Sequence, residues 1–444
     1  MLNLREFLRA TNPSQTLDIQ KAEDRAYYIN FSSVRGGEII HRLKNKITVF
    51  EDEPTCTLFT GHIGCGKSTE LLRLRDELER EGFYVVYFES SEDLEIADVE
   101  IADVLLTIAR RIAQDLEKSQ IQLRPTGFNK LLQEVGKILN AEVTELKVNP
   151  VKVPGLGEVG VQAKEGEFSL SLAIAQLTAK TKSDRTLHQK MNQYLAPQKV
   201  ELVKAINREL LEPAIAQLKQ RGKKGLVAIV DNLDRIDNTI KDFGKPQQEY
   251  LFVDQAESLK LGCHLVYTIP LALLFSNSYG MLTQRFDDPS VLPMVPTQLR
   301  DGTAHEEGME LLRQMVLARA FPQLDAAERL GKVTEIFELA ELLDRLCRMS
   351  GGHVRDLLML LNTWTLEEMK FPLTGTSLET VIRARRNAMT RAVSKQEREL
   401  LQQVKLEKQV SDEEGYQKLI RSRFVFEYQD EEGSWYDVNP LLKD

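Results

Sequence analysis

Nine residues, Gly61-His62-Ile63-Gly64-Cys65-Gly66-Lys67-Ser68-Thr69, have the types and the spacing G-x-x-x-x-G-K-[ST] of a phosphate-binding loop. Backbone N–H groups of such a loop, and of the helical turn that follows, point at an anion, and the helix dipole adds partial positive charge there. Gly61 and Gly66 permit backbone angles and a close approach that a Cβ would block. Lys67 can reach the β- and γ-phosphates of a nucleotide, and the Ser68 hydroxyl can ligate Mg²⁺. His62 and Cys65 stand at variable positions of the loop and are read as tolerated there. A second acidic segment, Asp231-Asn232-Leu233-Asp234-Arg235, follows the apolar run Leu226-Val227-Ala228-Ile229-Val230. A carboxylate at the end of such a strand can lie beside the loop and hold Mg²⁺ through water, which makes Asp231 the second metal candidate beside Ser68.

These residues need particular elements around them. Thr55–Thr60 is short and β-prone, and Glu70–Leu78 is apolar at helical spacing, so a strand, a glycine turn and a helix are expected in that order. Further strands are expected at 83–88, 225–230, 263–269 and 290–294. Several are nearly continuous apolar runs, as in a parallel sheet covered by helices on both faces. Ile39, Ile40, Leu43 and Ile47 share one face of an amphipathic helix before the first strand. It could lie over a nucleotide base or simply pack at the sheet edge. The duplicated pentapeptide at 95–104 reads as part of one helix reaching about Leu116. Weak alternation over 142–172, with a turn-rich join at 154–157, reads as a β-hairpin-like insertion, followed by helix over 185–220 with a break at Pro197. Helices are expected at 306–320, 333–349, 354–369 and 378–392. The chain then runs through two short helices and two strands flanking the turn Gln429–Gly433, the order of a winged helix.

Composition sets the class. The 444 residues exceed one ordinary core, so several domains are expected. Hydrophobic residues at 42% and charged residues at 28% describe a globular protein, and the net charge of −9 gives no global attraction to nucleic acid or anionic membrane. No apolar run approaches the length of a bilayer span, the N-terminus lacks the pattern of a signal peptide, and the four cysteines have no paired spacing. The expectation is a cytoplasmic protein with no membrane partner, no disulfide framework and no zinc.

The loop together with Asp231-Asn232-Leu233-Asp234-Arg235 resembles the P-loop ATPases of the AAA+ and STAND type, the KAP group among them. The resemblance implies ATP and Mg²⁺ as cofactors and a catalytic set of Asp231, Asp234, Thr268, Arg285 and Arg355. Thr268, ending a strand, occupies the sensor 1 position. Leu282-Thr283-Gln284-Arg285-Phe286 is similar to the segment bearing the arginine finger, and Ser350-Gly351-Gly352-His353-Val354-Arg355-Asp356-Leu357 looks like the sensor 2 motif of origin-recognition-type members. AAA+ enzymes usually place Glu after the strand-end Asp, where this chain has Asn232; Asp234 is the substitute that the KAP-like pattern suggests. The implied architecture is α/β: an N-terminal segment (1–50), a P-loop NTPase parallel-sheet core (51–300) with an insertion at about 118–222, a helical lid (301–392) and a C-terminal winged-helix domain (393–444). The implied activity is a switch ATPase, slow if Asn232 weakens hydrolysis, that couples nucleotide state to homo-oligomer formation and to a protein effector, in bacterial defence or signalling. The alternative is a DNA-acting ATPase of the origin-recognition or transposition type.

Local charge separates these two. Residues 381–408 hold eight Lys/Arg against three Glu, whereas 409–444 hold nine acids against four bases. The turn Asp430-Glu431-Glu432 is acidic where a DNA-binding wing needs cations. The charge pattern favours a winged helix that contacts protein, with any DNA contact coming from the basic helix before it.

Overall fold

The computed structural model describes residues 3–121, 123, 125–139, 169–241, 244–411 and 414–443. Five strands, β1 (Cys56–Gly61), β2 (Tyr84–Glu89), β3 (Leu226–Asp231), β4 (His264–Thr268) and β5 (Ser290–Leu292), form one parallel sheet in the order β2-β3-β4-β1-β5. The apolar runs are buried on both faces, as continuous rather than alternating patterns require. Phe59, Val227, Ile229 and Val266 point to the face covered by the helix Lys67–Arg80 through Leu71, Leu74 and Leu78. Leu58, Ala228, Val230, Leu265 and Tyr267 point to the other face, covered by the helix Ile101–Lys118. This is the α/β P-loop NTPase fold: the loop strand β1 lies inside the sheet, and β4 separates it from β3.

Two local expectations are corrected. The helix over the duplicated pentapeptide begins only at Ile101, because the Glu100 and Asp103 side chains form a reciprocal capping box there. The first copy is left outside, with Asp98 paired to Lys241. Of the hairpin expected at 142–172, residues 140–168 lie outside the described residues, and its end is helical. Leu170–Ser183 is a helix capped by Ser169, and it buries Leu170, Ala173, Ile174 and Leu177 at helical spacing in the core beneath Ile101–Lys118. The helical run that follows ends at Gln220 and is interrupted by a short 3₁₀ turn at Ala196–Gln198, around Pro197.

Beyond the sheet, Glu306–Ala320, Val354–Glu368 and Gly375–Arg391 are helical. The helix expected at 333–349 divides into Val333–Ile336 and Ala340–Ser350, because Phe337 turns inward and its segment bridges Leu373. At the end of the chain, the helices Lys395–Glu407 and Glu414–Arg421 precede an antiparallel hairpin, β6 (Val425–Asp430) and β7 (Gly433–Val438). The hairpin does not stand free. Phe426, Tyr428 and Trp435 join one buried cluster with Phe59, Leu292 and the apolar face of the helix Ile39–Val49. Tyr428 and Trp435 stack at 4.5 Å. The helix Ile39–Val49 thus buries its apolar face in the same cluster as the sheet and the hairpin. No helix among the described residues is long and apolar enough to cross a membrane.

Candidate functional site

Gly66, at φ 107°, is the left-handed residue before the helix Lys67–Arg80, so the N–H groups of that helix's first turn open toward the loop. Lys67 is buried. Its ammonium donates to the carbonyls of Gly61 (2.7 Å) and His62 (2.9 Å) and pairs with the Asp234 carboxylate at 2.9 Å. Burial alone would lower the Lys67 pKa, but Asp234, Cys65 and Asp231 together outweigh it and the pKa is raised. The second oxygen of Asp234 has no partner.

Asp231, at the end of β3, is fully buried. It accepts from the Tyr87 hydroxyl (2.8 Å), the Asn232 N–H (2.7 Å) and the Ser68 hydroxyl. Burial, and then the charge of Asp234, raise its pKa. A hydroxyl and a carboxylate side by side, the latter in no ion pair among the described residues, fit Mg²⁺, which takes hard oxygen ligands and keeps several waters. Ser68 and Asp231 would hold the ion, and it would supply neutralisation of phosphate charge.

The cavity over the loop is lined by Ile63, Gly64, Gly66, Lys67, Ser68 and Thr69, by Asn232, Asp234 and Arg235, and by Val354, Arg355 and Leu358 of the helix Val354–Glu368. Its remaining wall is N-terminal: Pro13, Gln15 and Thr16. Burial, and then the neighbouring guanidiniums of Arg235 and Arg423, lower the Arg355 pKa. Three cations, Lys67, Arg235 and Arg355, thus face one space at a helix N-terminus, an arrangement that attracts a polyphosphate.

The N-terminus of the helix Val354–Glu368 contacts the loop directly. The His353 Nε2–H donates to the Ile63 carbonyl at 2.9 Å, the Arg355 N–H donates to the Gly64 carbonyl at 3.2 Å, and His353 Nδ1 caps its own helix at the Asp356 N–H. Both imidazole nitrogens of His353 are thereby engaged in the neutral form, and burial pushes its pKa down to about 4. Gly352 lies against the Val295 carbonyl at φ 74°, where a Cβ would collide with backbone.

Several residues stand where the sequence did not place them. His62 is not merely tolerated: its ring faces the hairpin, Nε2 accepts from the Glu427 N–H at 3.0 Å, and it meets the Phe426 ring edge-on. Burial drives the His62 pKa well below the usual value, which keeps Nε2 free to accept. Gly61 and His62 border a neighbouring cavity toward Pro270–Ala272, while Cys65 is buried under the loop against the Leu292 carbonyl. Thr268 does not line the nucleotide cavity. Its hydroxyl accepts from the Leu233 N–H at 3.0 Å and braces the turn that carries Asp234. Arg285 is exposed on the helix Tyr279–Phe286, away from the cavity lining, and makes no ion pair among the described residues.

Four residues escaped the sequence reading: Arg35, Tyr87, Glu89 and Arg235. Arg35 is buried and donates to the Cys65 carbonyl at 2.9 Å, underpinning the loop. Tyr87 and Glu89 lie in β2, whose register with β3 sets Glu89 opposite Asp231. Glu89 left a sequence signal, a carboxylate ending an apolar strand, and Arg235 closes the acidic segment after β3.

No family model matches the chain, and no curated protein matches it. Among solved structures it is similar to a Walker-type ATPase of Pyrococcus abyssi, at 10% identity and a TM-score of 0.40, over 94% of this chain and 98% of that one. It is also similar to the Aeropyrum pernix ORC1 protein in complex with DNA (14% identity, TM-score 0.35, 90% and 88% covered). A third likeness is to the Aeropyrum pernix ORC2 protein (10% identity, TM-score 0.37, 98% and 94% covered). The fold assignment rests on the sheet order, the loop and the helix that follows it.

Proposed function

We propose that the chain binds ATP with Mg²⁺ and hydrolyses it, as a switch ATPase of the AAA+/STAND kind whose nucleotide state controls assembly with copies of itself and with a protein effector. The observation that carries this reading is the convergence of Lys67, Ser68, Asp231, Asp234 and Arg355 on one loop at a helix N-terminus. The γ-phosphate shares the Lys67 ammonium with Asp234, which lies on the turn that Thr268 braces. Arg355 meets the phosphates from the lid. Lid and hairpin both hydrogen-bond the loop, through His353, the Arg355 backbone and His62, which supports a switch whose C-terminal unit follows the nucleotide. In this reading 51–300 is the ATPase core, 301–392 the lid and 393–444 a winged helix that contacts protein. The setting implied by the motifs is bacterial defence or signalling. A DNA-acting ATPase is the competing reading, and exposed Arg383 and Arg391 on the helix Gly375–Arg391 favour it.

Titration with a fluorescent ATP analogue tests the site. Lys67→Ala should weaken binding about ten- to hundredfold, since a charge-assisted contact is worth roughly 1.5–3 kcal/mol. Unchanged affinity removes the assignment. Duplex DNA should leave the hydrolysis rate unaltered; stimulation by DNA selects the competing reading.

A further inference from the structure

Asn232 occupies the position from which a carboxylate would be expected to polarise water, and the structure shows what stands in its place. Its amide nitrogen donates to Glu89 Oε2 at 2.6 Å and lies 3.4 Å from the Ser91 hydroxyl. Asn232 adopts the left-handed conformation, φ 64°, in which Asn is the most tolerated residue after Gly. That turn directs its amide back across the sheet to the end of β2. The parallel register pairs Glu89 with Asp231, so Glu89 ends at the same level as the proposed metal ligand, one strand farther from the loop. A Glu at 232 would strain the turn and set a second carboxylate against Glu89; an Asn satisfies both.

Asp234 is already engaged: its carboxylate pairs with the Lys67 ammonium at 2.9 Å. Glu89 has no ion pair among the described residues, and its partner Asn232 lines the nucleotide cavity.

Resting on the ATPase reading above, we infer that Glu89, held by Asn232, is the general base of hydrolysis, contributed by β2 rather than by β3. Glu89 takes a proton from the attacking water as the water oxygen bonds the terminal phosphorus. The bond from that phosphorus to the bridging oxygen breaks, and its electron pair leaves on ADP. The proton passes from Glu89 to the departing phosphate, which restores the carboxylate. Asn232 is a positioning residue: it aims Glu89 and exchanges no proton.

The test uses the full chain, with single-turnover hydrolysis and nucleotide titration side by side. Glu89→Gln keeps the size of the side chain and an acceptor for Asn232. It should bind ATP within about threefold of the parent and hydrolyse it at least about a hundredfold more slowly, the lower range for loss of a general base. Asn232→Gly keeps the left-handed turn but removes the amide; kcat should fall about tenfold with KM unchanged. Hydrolysis by Glu89→Gln at the parent rate overturns the inference and leaves the ATPase reading intact. Loss of ATP affinity in Glu89→Gln together with activity makes Glu89 structural and also overturns it. A parent chain that binds ATP without hydrolysing it sinks both claims, and one that binds no nucleotide sinks the P-loop reading itself.

Discussion

Asp231 has no exposed surface and three hydrogen-bond donors around it, it is in no ion pair among the described residues, and the charge of Asp234 raises its pKa further. A buried carboxylate raised in pKa is an expensive anion until a cation joins it. Loss of Asp231 should therefore be felt through the metal. In Asp231→Ala, Mg²⁺-dependent hydrolysis should disappear, while nucleotide affinity measured in a chelator stays within about threefold of the parent. If affinity in the chelator falls as well, Asp231 is a structural residue of the strand end. Removing Asp231 would also leave its donors, the Tyr87 and Ser68 hydroxyls and the Asn232 N–H, without this acceptor.

At the scale of elements, the hairpin is held to the sheet by one residue's backbone and one cluster of rings. The Glu427 carbonyl accepts from the Met294 N–H at 2.9 Å and its N–H donates to His62, while Arg300 pairs with Asp430 near the tip. The Glu427 side chain is buried, with the Ser434 hydroxyl donating to one oxygen at 3.0 Å and the Tyr436 hydroxyl also donating to the carboxylate. Burial raises its pKa from 4.5 to about 7. The folded state thus prefers the protonated acid. The corresponding stability is fully present below pH 4.5 and is lost as pH rises through about 7. The shift corresponds to about 3 kcal/mol. His62 and His353, with depressed pKa values, act in the opposite direction, losing stability as pH falls, so the variant must be compared with the parent. Relative to the parent, Glu427→Gln should gain thermal stability between pH 5.5 and 8. Parallel melting curves across that range would show that Glu427 does not control the docking.

At the scale of the whole molecule, every proposed catalytic group except one converges on a single cavity or its supports. Arg285 is the exception, exposed on the helix Tyr279–Phe286 between β4 and β5. A guanidinium is always charged and can pair bidentately with phosphate oxygens, so an unpaired one at the surface suits a neighbour's site. If two copies share sites in this way, Arg285→Ala should bind ATP normally as a monomer but lose hydrolysis and ATP-dependent assembly. Mixing it with Lys67→Ala protein should restore part of the activity, because one chain then contributes a sound binding site and the other a sound arginine. Hydrolysis and assembly at parent levels in Arg285→Ala would leave that residue an ordinary surface arginine.

The loop, its flanking strand and helix, the other buried strands and the acidic segment after β3 were legible in sequence because each is local: spacing, periodicity and glycine placement specify them within about ten residues. The sheet-covering helices and the terminal hairpin were legible for the same reason. Where local patterns were weak, tertiary packing decided. Alternation near Leu170 gave way to a helix whose apolar face found a core, and the duplicated pentapeptide was split by a capping box. The remaining facts of the site are long-range contacts with no local trace. β3 had to lie beside β2 before Glu89 could meet Asn232, residues 13–16 had to fold back to wall the cavity, and the hairpin had to dock before His62 acquired a partner 365 residues away. Local sequence thus marked out a phosphate-binding loop and the candidate side chains around it. Only the sheet order and the docking of the C-terminal unit decided which carboxylate is tied to Lys67, which one stands free, and what grips the loop.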